Sequence, residues 1–207
     1  MDIRDSAFGN NDASLGSQNG GAILSPGTGF TCTRCLFVLN PTSGTGGAIC
    51  ATGMTILNTT FVLNRAASGG AIYVDVPGLP NALSLGNATI SGNEATASGG
   101  GVRGGGTSVV VKNSIIAGNT APTGPNCVSA VTSQGYNLIG NNAGCTFGTT
   151  TGDQVGTSGS PIAPGLGGAR PTTAVSCPRW RSSPAAQRST PGRRAAAPTS
   201  RRRPSSS

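Results

Sequence analysis

The tetrad Gly-Gly-Ala-Ile occurs at residues 20–23, 46–49 and 69–72, and returns as Gly-Gly-Gly-Val at 99–102. The steps between copies are 26, 23 and 30 residues. An Asn that closes an apolar stretch recurs in the same order, at Asn40, Asn64, Asn93 and Asn119. Two landmarks repeating four times at this period point to stacked supersecondary units, none of which buries its apolar face alone.

Aligning on these asparagines exposes columns. Three residues earlier stand Phe37, Phe61, Ile90 and Ile116; eight earlier stand Cys32, Ile56, Leu85 and Val111; six earlier stand Arg34, Asn58, Asn87 and Asn113. Apolar positions an odd number apart cannot share one face of a straight strand, whose side chains alternate. A corner therefore lies between them, and Asn58, Asn87 and Asn113 occupy it because Asn tolerates left-handed backbone. Each unit reads as three short strands, and its stacked corner asparagines are expected to bond between rungs as a ladder satisfying buried amides. The expected fold is all-β, a parallel β-helix. A sandwich of hairpins predicts turn dipeptides but not the same apolar columns four times over. Residues 76–81, Val-Pro-Gly-Leu-Pro-Asn, read as a loop protruding from the longest unit.

The 34 Gly and the single Lys among 207 residues fit short strands and tight corners, and no helical periodicity appears. The net charge of +8 divides unevenly. Up to Ala169 there are five basic residues against six acids, whereas from Arg170 onward there are nine Arg and no acid. A nearly neutral repeat region excludes a general nucleic-acid-binding reading for the domain. No apolar run reaches the ~20 residues of a membrane span. No signal peptide precedes the repeats, so an exported protein's targeting segment is expected to lie outside this chain.

Gly-Gly-Ala-Ile paired with Phe-Val-Leu-Asn (residues 37–40 and 61–64) resembles the repeat motifs of polymorphic outer membrane proteins. The stretch Asn113-Ser114-Ile115-Ile116-Ala117-Gly118-Asn119-Thr120, then Asn126-Cys127, Gly135-Tyr136-Asn137-Leu138-Ile139-Gly140 and Cys145, is similar to bacterial choice-of-anchor Q surface proteins. The resemblance covers roughly residues 20–167. It implies a right-handed, pectate-lyase-like β-helix on exported, cell-surface or outer-membrane-associated proteins, with adhesion for the first group. That second family continues beyond the helix with an Asp-Asn-Gly-Gly stretch and ordered sequence, which is missing here after Gly168.

The expected organisation is therefore a β-helix domain at 1–167, with four recognisable coils at 20–124 and a Cys-bracketed segment at 125–167. Residues 168–207, rich in Arg, Pro, Ser, Ala and Thr, form an expected disordered tail, since they lack the apolar surface to offset ordering entropy. The run Arg201-Arg202-Arg203 is a basic patch for nucleic acid or an anionic membrane. The abrupt change of composition instead suggests out-of-frame translation of a GC-rich gene, leaving a tail with no evolved role.

Cys127 and Cys145 bracket a Gly/Asn-rich loop of the kind a disulfide closes in an oxidising compartment; the alternative is two buried thiols. Cys32-Thr33-Arg34-Cys35 lacks the His or second cysteine pair that a zinc site requires, and Cys32 already fits a core column. Pairing of Cys50 with Cys32 or Cys35 stays open. Residues 99–104 match G-x-G-x-x-G, but a β-branched run follows where a dinucleotide site needs a helix. Asn58 and Asn87 match the N-glycosylation acceptor pattern and are assigned to corners instead. No cofactor or metal is expected.

Two functions compete, beside a purely structural spacer. The first is a non-catalytic extracellular solenoid whose polar face adheres to glycans or to extracellular and host surface proteins. The second is a polysaccharide lyase or glycoside hydrolase, a chemistry the fold also hosts, with Asp75, Glu94 and Asp153 as its acids. Those acids recur at no common column, where stacking would converge them, which favours the first.

Overall fold

The structure is a computed structural model that describes residues 1–16, 18–74 and 82–166. Among the described residues there is no helix, hence none long and apolar enough to cross a membrane. The chain is a parallel β-solenoid. Every strand pairing is parallel, and each strand lies against its counterpart one turn later.

The first wall consists of Ile23–Ser25, Ile49–Ala51, Ile72–Val74 and the opening residues of Val102–Lys112 and Cys127–Ser133. The second is Asp2–Arg4, Phe30–Thr33, Met54–Leu57, Leu83–Gly86, the closing residues of those two long strands, and Cys145–Gly148. The third is Ala7–Gly9, Leu36–Val38, Thr60–Val62, Thr89–Ser91, Ile115–Ile116, Leu138–Ile139 and Gln154–Val155. A short fourth side, Arg65–Ser68 paired with Glu94–Ser98, is absent from the three-strand expectation. It exists because the chain needs a run between the Asn that closes the third wall and the Gly that opens the next turn.

Three columns of left-handed corners shape the turns. Asp5, Arg34, Asn58, Asn87, Asn113 and Tyr136 join the second and third walls with φ between 48° and 60°. Asn10, Leu39, Leu63, Gly92 and Gly118 form another such column, and Gly20, Gly46, Gly69, Gly99 and Gly124 open five successive turns. The Gly pair of the tetrad divides its labour. Gly69 supplies φ of 65°, while a Cβ on Gly70 would collide with the carbonyl oxygen of Gly100 in the next turn. The fifth opening, Gly124-Pro125-Asn126-Cys127, is a degenerate copy of the tetrad. A turn also precedes residue 20, carried by Phe8-Gly9-Asn10-Asn11, which keeps the Phe-to-Asn spacing of later turns. Rungs therefore extend beyond 20–124 in both directions.

The core is a set of axial stacks. Phe8, Phe37 and Phe61 lie face to face with centroids 4.8 and 4.9 Å apart, and the column continues through Ile90, Ile116 and Ile139. Cys32, Ile56, Leu85 and Val111 form the inward column of the second wall, and Ile23, Ile49, Ile72, Val102 and Cys127 that of the first. The loop 76–81, with Asp75 before it, and the expected tail at 168–207 lie outside the described residues.

Candidate functional site

A solenoid offers its ligand outward side chains repeated at the rung spacing, so any site is built from columns. The corner asparagines come first. Asn58, Asn87 and Asn113 turn the chain, and their backbone N–H groups donate to Gly86, Lys112 and Gly135 of the next rung. Their side chains are exposed, and the one rung-to-rung amide bond among them runs from Asn87 Nδ2 to Asn58 Oδ1 at 3.0 Å. The expected ladder of buried amides is thus not at this corner.

It lies instead in the column of the repeat landmark. Asn40, Asn64, Asn93 and Asn119 are buried, as is Asn126, which caps the column from the opening of the next turn, and each Nδ2 of the first four donates to the next Oδ1 at 2.8, 2.9, 2.9 and 3.1 Å. The same oxygens accept the backbone N–H of the preceding Asn. The second Nδ2 hydrogens go to the carbonyls of Phe8, Phe37, Phe61 and Ile90. Burial selects this column because its amides face the inside of the turn, whereas a left-handed corner points its side chain to solvent. The signal was the Asn landmark itself.

A second polar column just past the corner combines hydroxyls and amides. The N–H groups of Cys35, Ala88, Ser114 and Asn137 donate to Thr59 Oγ1, Ser114 Oγ, Asn137 Oδ1 and Asp153 Oδ1. Asp153 ends it, also accepting from Ser133 Oγ at 2.7 Å and Thr150 N at 2.7 Å. Burial opposes its ionisation, but these hydrogen bonds outweigh burial and hold the carboxyl below its ordinary value.

The candidate acids are not convergent. Glu94 is exposed on the fourth side, with Arg65 Nε 3.6 Å from its Oε1. Asp153 stands three turns further on, about 14 Å along the axis at ~4.8 Å per rung, and between different walls. Asp75 lies outside the described residues. Among the described residues no group of three His, Cys, Asp or Glu could hold a metal ion.

Cys127 and Cys145 are joined by a disulfide between adjacent turns, Cα–Cα 5.6 Å. Cys32 and Cys35 are buried, and burial pushes the Cys32 thiol up. Cys50 sits between the inward Ile49 and Ala51 on the first wall, so its side chain points away from that core, with Thr45 Oγ1 3.5 Å from its sulfur.

The outer surface is shallow and polar. On the second wall Thr31, Thr55 and Ser84 stand in register, followed by Val110 and Thr132. Thr31, Thr55 and Ser84 flank a groove of ≈ 260 Å³ that also takes in Thr28 and Thr52. No family model, no curated protein and no solved structure matches the chain.

Proposed function

We propose that this chain is a non-catalytic extracellular or cell-surface solenoid that adheres to glycans or protein surfaces through its elongated polar exterior. The observation that carries this reading is the in-register column Thr31, Thr55 and Ser84 beside a shallow groove lined by hydroxyl and apolar side chains. Hydroxyls repeated every rung offer many weak hydrogen bonds to an extended ligand rather than one enclosing pocket. The Cys127–Cys145 disulfide supports export to an oxidising compartment. The repeats that resemble polymorphic outer membrane proteins and choice-of-anchor Q proteins support the same location. Against catalysis, Glu94 is engaged by Arg65 and Asp153 is occupied by a hydrogen-bonded turn.

The test is binding of the purified chain to immobilised glycan and extracellular-matrix panels. Saturable binding to either supports the reading, and silence on both removes it. Release of reducing ends or unsaturated products from pectin-like or alginate-like polymers establishes the enzyme instead.

A further inference from the structure

Among the non-glycine residues of the corner column, the last is an exposed aromatic, Tyr136, with Gly152 at the same corner one rung later. Asp5 and the three asparagines take left-handed φ readily, and Arg34 is held there by a bidentate pair with Asp5, at 2.6 and 2.8 Å. Tyr136 has φ of 60°, a costly conformation for a bulky aromatic, and its side chain contributes little burial in return because the residue is 63% exposed. Its backbone N–H donates to Thr151 O at 2.9 Å, and its ring lies against Gly152, where a Cβ would collide with it. The ring is thereby anchored on one side while most of the residue faces solvent.

We propose that Tyr136 and the amides of Asn113, Asn87 and Asn58 form a ridge that binds one chain of an uncharged polysaccharide along the solenoid axis. This rests on the glycan reading above and places an axial glycan chain at the corner beside the second-wall groove. The four residues occupy consecutive rungs of one corner. Rungs repeat at about 4.8 Å, close to the advance of a β-linked pyranose chain per sugar, so successive side chains meet successive sugars. The electron-rich ring face suits the C–H face of a pyranose. Each amide offers two donors and one acceptor oxygen to vicinal hydroxyls. Only one amide hydrogen, on Asn87, is spent within the column, and the Asn113 amide makes no hydrogen bond among the described residues. No carboxylate stands on the ridge between Asn58 and Tyr136.

The experiment is calorimetric titration of the whole chain with xylo-, cello- and chito-oligosaccharides of increasing length. Affinity for at least one series is expected to rise up to about four sugars, one per rung, and then level off. Tyr136→Asn, which installs the residue the same corner uses elsewhere, should weaken binding about tenfold or more while leaving the unfolding midpoint unchanged or higher. Tyr136→Phe should bind like the parent, and Asn113→Gly, which keeps the left-handed turn, should bind more weakly. Leu24→Ala, exposed on the first wall, should not change the affinity. Oligosaccharide binding that survives in Tyr136→Asn overturns the ridge, as does binding confined to uronate polymers. If no oligosaccharide binds but matrix proteins do, the ridge fails and adhesion stands. If nothing binds, both fail.

Discussion

Asn64 sends both its backbone N–H and its side-chain Nδ2 to a single atom, Oδ1 of Asn93, each at 2.9 Å. Asn93 repeats the arrangement toward Asn119, and Asn40 toward Asn64. The amide is thereby saturated inside an apolar solenoid, and any slip of one turn against the next breaks two bonds at once. The ladder fixes register as well as satisfying polarity.

Asn64→Ala should therefore be among the most destabilising single changes in the domain. It strands two donors of Asn40 and the carbonyl of Phe37, and each unsatisfied buried group costs about 1–3 kcal/mol. A loss of about 3 kcal/mol or more is expected in urea unfolding, against about 1 kcal/mol for Asn58→Ala, whose amide is exposed and whose cost is mainly the left-handed backbone. Equal effects at the two positions would refute the assignment of the ladder.

Phe61→Ala opens the axial core column between Phe37 and Ile90. A loss of about 3–5 kcal/mol is expected, with Phe61→Leu costing much less because the residue volume is largely kept. Chemical denaturation of both variants checks the contrast.

Breaking the disulfide acts on the unfolded chain. Cys127 and Cys145 are separated by 18 residues, and closing such a loop stabilises by about 3 kcal/mol in the chain-entropy model. The double change Cys127→Ala with Cys145→Ala should lower the unfolding midpoint, and reductant should shift the parent but not the double variant.

Asp153 gives the chain a pH signature. Its folded carboxyl titrates below its ordinary value despite burial, because Ser133, Thr150 and Asn137 donate to it. The stability it contributes is therefore present above the unfolded pKa near 3.8 and is lost as pH falls through the lower folded value. Asp5 and Asp12 shift in the same direction, so the informative quantity is a difference. Parent and Asp153→Asn should diverge most in stability near neutral pH and converge in strong acid. A constant difference across that range would remove Asp153 from the acid response.

The recurrence of Gly-Gly-Ala-Ile and of an Asn three residues after an aromatic or Ile was enough to read a parallel solenoid and its stacked Phe and Ile columns. Both depend on period alone. An odd spacing between Cys32 and Phe37, or Ile56 and Phe61, demands a corner whatever the remaining contacts are. The degenerate opening at Gly124 escaped the repeat because Pro125, Asn126 and Cys127 stand where Gly, Ala and Ile stood. In space the same backbone path is kept.

What the sequence determined by itself is the periodic part: strand, corner, strand, and which side chains face in. Tertiary structure decided which of two Asn columns is buried. Asn58 and Asn64 are alike as residues, and only the hand of the backbone at each, left-handed at Asn58 but one residue earlier, at Leu63, beside Asn64, sends one amide to solvent and the other into the turn. Tertiary structure also set Glu94 and Asp153 apart and aligned Tyr136 with three asparagines. Which side chains align between turns depends on how many residues each turn consumes, and that count varies with the loops rather than with the repeat.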